Sequence, residues 1–490
     1  MAKTELKIIT DVLISQIENR LKLVDIYFTG KIEKIVPKTD QIIDWSDISN
    51  HDRWMNFQRQ FSTQNSNSSD KIYDGKFLLL VPGAIDSHVH FNTPGFEERD
   101  DFEHGSLAAA YGGVTTVIDM PCTSIPPVTS LHNLQIKLNA IKGRSWIDYA
   151  FWGGISGQEF HDQKKLEGSL QEMLQAGVKG FKAYLISGMK LFTDLPYDQM
   201  LQLAHLIRKT KLLLAVHAED KSLIMQRQQQ FEELGRNDWQ AYCQSRDDKA
   251  EASAVARMIN IAHQSDCRIH IVHLSSRLAL ELIRSAKAKG VKITAETCPH
   301  YLYFTQQDFE NPQIAASLKT APPVKNEADK EALWQGLNDG TLSFVTTDHA
   351  GCDPEKEKAS QNFWDIYGGI PGVEHRVPFL FSEGCKKNRL TISQTIELLS
   401  TNPAQFFNLN KNKGSLTISK DADMVLVNLW ESEFIKAENM HSRGKYTPFE
   451  GREFTSVIDS TFVRGSLVIS RNWKSEVKIG FGQFLGNEIR

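Results

Sequence analysis

Two histidines one residue apart, His88 and His90, close the stretch Val81-Pro-Gly-Ala-Ile-Asp-Ser-His-Val-His90. The preceding apolar run Phe77-Leu-Leu-Leu-Val81 is bounded by turn residues and reads as a buried strand of a barrel core. Residues two apart in a strand face the same side, so both imidazoles emerge together where the strand ends, the arrangement that grips a metal ion. Four more residues of suitable type end their own strand-like stretches: Lys182 in Gly180-Phe-Lys-Ala-Tyr-Leu185, His217 in Ala215-Val-His-Ala-Glu-Asp220, His273 in Ile271-Val-His-Leu-Ser-Ser276 and Asp348 in Val345-Thr-Thr-Asp-His349. One strand-end histidine is more often a core or surface residue than a ligand. Four histidines and an aspartate with the same placement are a joint signal for metal, since imidazoles suit Zn²⁺ and similar ions and a carboxylate balances their charge.

A lysine ammonium cannot ligate a metal. Burial beside a dication lowers its pKa, because desolvation and like charge both disfavour the ammonium. The neutral amine of Lys182 could then add CO₂, giving a carbamate with two oxygens for two ions. The plainer reading is a snorkelling surface lysine, against which Phe181 and Tyr184 argue. Two ions close together would acidify a shared water and polarise a carbonyl. Asp348 would act as general base and then general acid toward a leaving nitrogen. That chemistry is amide hydrolysis. His104, His205, His263 and His270 read as lying outside the site, whereas His300 and His349 are candidates to support the ligands from behind.

Such a constellation needs strands that converge. From about 76 to 409 the pattern alternates strand and helix. Candidate strands are Lys179–Ile186, Leu212–His217, Arg268–Ser275, Val291–Thr297 and Ser343–Asp348; candidate helices are Leu166–Ala176, Tyr197–Arg208, Ala250–Ala262, Arg277–Ala288 and Asp329–Leu337. Alternating units at this length predict an α/β fold, a (β/α)₈ TIM-like barrel with its chemistry at the C-terminal strand ends. Residues 1–75 carry short strands (Leu6–Thr10, Leu23–Phe28, Lys31–Val36) and a polar stretch, Thr63-Gln-Asn-Ser-Asn-Ser-Ser69, that reads as a loop. Strands return after 410 at Asp421–Val427 and Thr461–Ile469, so 1–75 and 410–490 are expected to pair into one small β-sandwich domain.

Of the 490 residues, 41% are hydrophobic and 24% charged, with a net charge of −4. That balance gives no sign of a nucleic-acid or membrane partner. No run has membrane length, and Met1-Ala-Lys-Thr-Glu-Leu-Lys7 lacks a signal-peptide core. The six cysteines, Cys122, Cys243, Cys267, Cys298, Cys352 and Cys385, show no CxxC spacing and suit free thiols of a cytoplasmic enzyme.

These residues in this order resemble the cyclic amidohydrolases (dihydroorotase, hydantoinase, allantoinase) from Val81 to Arg464. The resemblance implies a binuclear barrel with carbamylated Lys182 bridging the ions, His88 and His90 holding one with Asp348, and His217 and His273 the other. Zn²⁺ is the expected metal, although such a set also accepts Co²⁺, Mn²⁺ or Fe²⁺. Dihydroorotases carry an arginine just after the HxH pair and a Met-Pro-Asn-Thr motif, both reading the substrate carboxylate. Here the positions read Phe91-Asn92 and Met120-Pro-Cys-Thr123, which removes both donors.

Asp119-Met-Pro-Cys-Thr-Ser-Ile-Pro-Pro127, Phe151-Trp-Gly-Gly154, Glu296-Thr-Cys-Pro-His-Tyr-Leu302 and Tyr446-Thr-Pro-Phe-Glu-Gly-Arg452 look like allantoinase. Cys122-Thr123 depart from its Leu-Asn, and Gly372-Val-Glu-His-Arg376 looks more like hydantoinase or dihydroorotase. Hydantoinases place an oxyanion-binding tyrosine five residues after the lysine; here that position is Ser187, with Tyr184 nearer, and the loop Ile186–Phe192 is expected to cover the substrate. The resemblance further implies substrate contacts at Asn92, Cys122, Ser187, Ala321 and Gly368, and a homo-oligomer, tetramer or dimer. The expected reaction opens a small cyclic ureide, allantoin to allantoate. The alternatives are a dihydroorotase or hydantoinase/dihydropyrimidinase, with Lys190 or Arg376 binding a carboxylate, and a non-catalytic scaffold of the same fold.

Overall fold

The computed structural model describes residues 5–61 and 71–487. The polar stretch 63–69 lies outside them.

Eight parallel strands form the barrel. In order they are Ala84–His90, Val114–Asp119, Asp148–Phe151 (continued at Gly153–Gly154), Phe181–Tyr184, Leu213–His217, Arg268–Ile271, Ile293–Thr297 and Phe344–Val345 (continued at His349–Ala350). Each pairs in parallel with the next, and His349–Ala350 pairs back onto Val89–His90, which closes the ring. Every residue of the first, second, fourth and fifth strands is buried, as strands covered on both faces must be. The outer helices include Gln163–Gln175, Tyr197–Thr210, Asp248–Ser265, Arg277–Ala288 and Glu327–Asn338, each within a few residues of its expected span.

Both ends of the chain build a nine-stranded sheet running Ser466–Ser470, Val457–Val463, Met424–Asn428, Leu79–Pro82, Lys7–Ile17, Arg20–Phe28, Ile32–Pro37, with Ile43–Asp44 and Lys71–Asp74 off this path. Alternation along Lys7–Ile17 sends Ile9, Val12 and Ile14 into the sheet's own core and Leu13 into the core shared with the barrel.

Three expectations need correction. The run Phe77–Val81 does not enter the barrel: Leu79–Pro82 pairs with Lys7–Ile17 and Met424–Asn428 in the terminal sheet, and the first barrel strand starts at Ala84. Hydrophobic burial alone cannot say which sheet claims a short apolar strand. The division into a terminal β domain and a barrel remains our proposal, with its joint moved to Gly83, where a Cβ would collide with the side chain of Thr115. Second, Thr461–Ile469 is not one strand but a hairpin, Val457–Val463 and Ser466–Ser470, turning at Arg464-Gly465 with positive φ at both. Third, the described residues of the segment 40–75 include the helices Trp45–Ile48 and His51–Phe61. They pack through Trp54, stacked 4.7 Å from Trp430, and the Trp430 Nε1–H donates to Ile48 O at 2.6 Å.

No helix among the described residues is long and apolar enough to cross a membrane. All six cysteines are free and buried.

Candidate metal centre

His88 and His90 extend the first strand to its C-terminal end, as the alternation requires. Lys182 faces the same interior from the fourth strand and His217 ends the fifth. His273 and Asp348 lie just beyond the sixth and eighth strands, and both hold positive φ, +42° and +49°. Non-glycine residues adopt that conformation infrequently, aspartate and histidine more readily than most.

All six expected ligands are buried or nearly so, and five present an inward atom to a neighbour. Asp348 Oδ1 lies 3.0 Å from His88 Nε2 and 3.1 Å from His90 Nε2. Among the described residues these three form the group whose ligand atoms all lie within 4.8 Å of one another. His217 Nδ1 faces His273 Nε2 at 3.0 Å, and the His88 and His273 rings are 5.5 Å apart. Lys182 Nζ is buried with no hydrogen-bond partner.

Hydrogen bonds from behind fix which nitrogen faces inward. His88 Nδ1–H donates to Glu296 Oε1 at 2.5 Å, and Glu296 Oε2 accepts from His270 Nε2–H at 3.1 Å. His90 Nδ1–H donates to Thr123 Oγ1 at 3.2 Å. His217 Nε2–H donates to Glu219 Oε2 at 2.9 Å, and Arg246 Nη1 donates to the same oxygen. The opposite nitrogens, His88 Nε2, His90 Nε2 and His217 Nδ1, face the cluster centre.

Electrostatics tell the same story. Burial disfavours a protonated His88, yet Asp348 and Glu296 pull its pKa above the ordinary value. Burial would raise the Asp348 carboxyl; the surrounding imidazoles, His88 foremost, hold it well below the usual range. Burial pushes the Lys182 ammonium down to about 8. Glu219 is desolvated too, but Arg246 and His217 keep its carboxyl down at about 2. A buried centre with three anionic carboxylates, Asp348, Glu219 and Glu296, inward imidazole nitrogens and a lysine nitrogen without a hydrogen-bond partner calls for positive charge, and the donor set fits divalent ions of the Zn²⁺ class.

The centre opens into a cavity of about 400 Å³. Of the expected substrate contacts, Cys122, Ser187, Ala321 and Gly368 line it. Asn92 does not: it is fully buried away from the cavity lining, and neither polar atom of its amide has a hydrogen-bond partner. Its place two residues after His90 put it near the mouth in sequence, but Phe91 and Asn92 are both fully buried. Ser187 Oγ donates to Phe192 O at 2.7 Å and so braces its own loop, while Tyr184 reaches the cavity with its hydroxyl 3.1 Å from Cys122 Sγ. Ile186 and Met189 of the same loop also line the cavity.

Neither cation expected for a carboxylate reader stands there. Arg376 fills the barrel floor, where its Nη1 donates to Ile85 O and Val345 O, and Lys190 is absent from the lining. Arg246 and Lys319 line the cavity instead. Arg246 is balanced by Glu219, and Lys319 Nζ donates to three backbone carbonyls. Sequence reasoning gave Glu219, Glu296 and Arg246 no role and set His270 aside. Buried carboxylates beside strand-end histidines were the available signal. His349 bonds Asp100, and His300 Nε2 has no partner, so neither supports a ligand directly.

The model of the amidohydrolase family matches residues 79–468. An allantoinase of Bacillus licheniformis is 35% identical over 414 residues, covering 82% of this chain and 88% of that protein. A probable allantoinase 2 of Dictyostelium discoideum is 30% identical and covers 96% of this chain and 93% of its own. Among solved structures, the L-hydantoinase (dihydropyrimidinase) from Arthrobacter aurescens superposes with a TM-score of 0.86 at 27% identity, over 98% of this chain and 99% of that one.

Proposed function

The chain belongs to the amidohydrolase family, and from that premise we propose that it hydrolyses the ring amide of a cyclic ureide, converting allantoin to allantoate. The observation that carries the reading is the convergence of six residues from five barrel strands, the buried His88, His90, Lys182, His217 and His273 and the half-buried Asp348, at one end of the barrel. His88, His90 and Asp348 would hold one divalent ion and His217 and His273 a second, with Lys182, as a carbamate, completing the donor set. Zn²⁺ is the proposed ion. When bound, the ions supply a water more acidic than bulk and polarise the scissile carbonyl.

The rest is the work of the chain. Lys182 has no hydrogen-bond partner and burial lowers its pKa, which makes the neutral amine that carbamate formation needs more accessible. Asp348 is ionised and takes the proton of the attacking water as the new C–O bond forms. It then delivers that proton to the ring nitrogen as the C–N bond breaks. Cys122, Ala321 and Gly368 shape the cavity around the ring, and Tyr184, whose hydroxyl lies 3.1 Å from Cys122 Sγ, takes the carbonyl-binding role in place of Ser187, whose oxygen is committed to its loop.

Allantoin is favoured over dihydroorotate because the cavity offers no uncommitted ammonium to a ring carboxylate: Lys319 has spent its three donors. The hydantoinase likeness keeps hydantoin as the second candidate. Ring-opening assays of metal-loaded protein on allantoin, hydantoin and dihydroorotate decide. Turnover of allantoin is expected, and turnover of dihydroorotate alone would overturn the substrate assignment. Free buried thiols fit the cytoplasm, and the proposal includes a homo-oligomeric assembly.

A further inference from the structure

Lys319 is buried, yet no carboxylate lies within ion-pair distance of it among the described residues. Its Nζ donates to Phe363 O at 2.5 Å, Trp364 O at 3.1 Å and Ile366 O at 2.6 Å. An ammonium has three hydrogens, and all three go to one irregular loop. The same loop is tied back by the main chain, Gly369 N–H donating to Lys319 O at 3.0 Å. The ammonium also sits over the rings of Tyr242, 4.7 Å away, and Phe363, 5.3 Å away. The Tyr242 hydroxyl donates to Thr320 O at 3.0 Å. Lys358, buried as well, repeats the device further along, donating to Tyr367 O at 2.7 Å and Gly369 O at 3.1 Å.

The two backbone segments joined in this way are the cavity's far wall. Thr320 and Ala321 follow Lys319 directly, and Trp364, Tyr367 and Gly368 belong to the loop; all five line the cavity. A buried ammonium is costly, with several kcal/mol of desolvation to offset for an ion of this kind. Arg246 and Lys358 nearby repel it, and Asp365 is the charge that attracts it. Loop closure of the barrel needs none of this, since a methionine would fill the same volume.

We propose that Lys319 is a positioning residue for substrate binding: its ammonium fixes the spacing between Thr320-Ala321 and Trp364–Gly368, and so the width of the slot that receives the ring. Its three hydrogens are committed to the loop, so it acts on the substrate through the wall segments that it joins. The inference rests on the reading of this cavity as the substrate site. It predicts an effect on KM separate from kcat, because the metal-facing residues stand on other strands.

The test uses full-length, metal-loaded Lys319→Met. Hydrogen–deuterium exchange of the segment 363–369 should quicken while the segments carrying the six metal-facing residues stay protected. KM for allantoin should rise roughly tenfold, as for a displaced binding wall, with kcat and metal content unchanged. If that variant does not fold, Lys319→Gln, with two donors in place of three, should move both readings in the same direction by less. Unchanged exchange at 363–369 overturns the clamp. Faster exchange with unchanged KM, or a fall in kcat and metal content together, overturns the positioning role. Failure of the wild type to open any cyclic ureide would refute the functional reading instead, and the exchange measurement would still decide the clamp.

Discussion

Asp348 is the residue on which the proposed chemistry turns. Its Oδ1 is shared between two imidazole nitrogens at 3.0 and 3.1 Å, and its backbone is held at a φ of +49°. An asparagine keeps the shape and one oxygen but cannot carry a proton from water to a leaving nitrogen. Asp348→Asn should therefore bind metal more weakly and lose roughly 10²–10⁴-fold in kcat; steady-state kinetics at saturating metal check it. A kcat within a few-fold of wild type would remove Asp348 from the proton path. Asn92 shows the opposite lesson. It stood out in sequence because an arginine there would announce a carboxylate, and three-dimensional burial takes it off the cavity wall.

At the scale of elements, the strand ends deliver the proposed ligands and the acidic residues behind them fix orientation. Glu219, two residues past His217, is one such support, and Arg246 after the helix Trp239–Ser245 holds it in turn. Its folded-state carboxyl at about 2, against an ordinary value of 4.5, sets the sign of a pH effect. A depressed carboxyl adds stability that is complete above about pH 4.5 and is lost as pH falls toward 2. The increment is about 3 kcal/mol by linkage. Denaturant unfolding of the metal-free protein should show Glu219→Gln losing less stability than wild type between pH 5 and pH 2.5. Parallel losses would contradict the assignment.

The strand and helix periods were legible in this region because long, evenly spaced βα units declare themselves. Glu219, Glu296 and Arg246 were not, since a carboxylate's partner behind a histidine depends on which strands become neighbours. The short apolar strand Leu79–Pro82 was legible as a strand but not as a member of the terminal sheet, for the same reason.

The whole molecule joins its two parts through buried charge. Lys413 Nζ lies 2.8 Å from Asp148 at the start of the third barrel strand and 2.6 Å from Asp423 beside the terminal sheet. Arg464, in the hairpin turn, also pairs with Asp148, which accepts from Gln483 N–H of the C-terminal segment at 2.9 Å. The terminal sheet is thus bound to the barrel's base, opposite the strand ends that hold the centre. Six scattered residues make chemistry only when that closed ring brings them together, and the ring's closure is what a list of motifs could not contain. The central claim, a two-ion centre bridged through Lys182, is tested most directly by counting metal. Elemental analysis of full-length protein prepared with bicarbonate should find two divalent ions per chain, falling to one or fewer in Lys182→Ala and recovering when a short carboxylic acid is added. Two ions retained by Lys182→Ala without any added acid would contradict it.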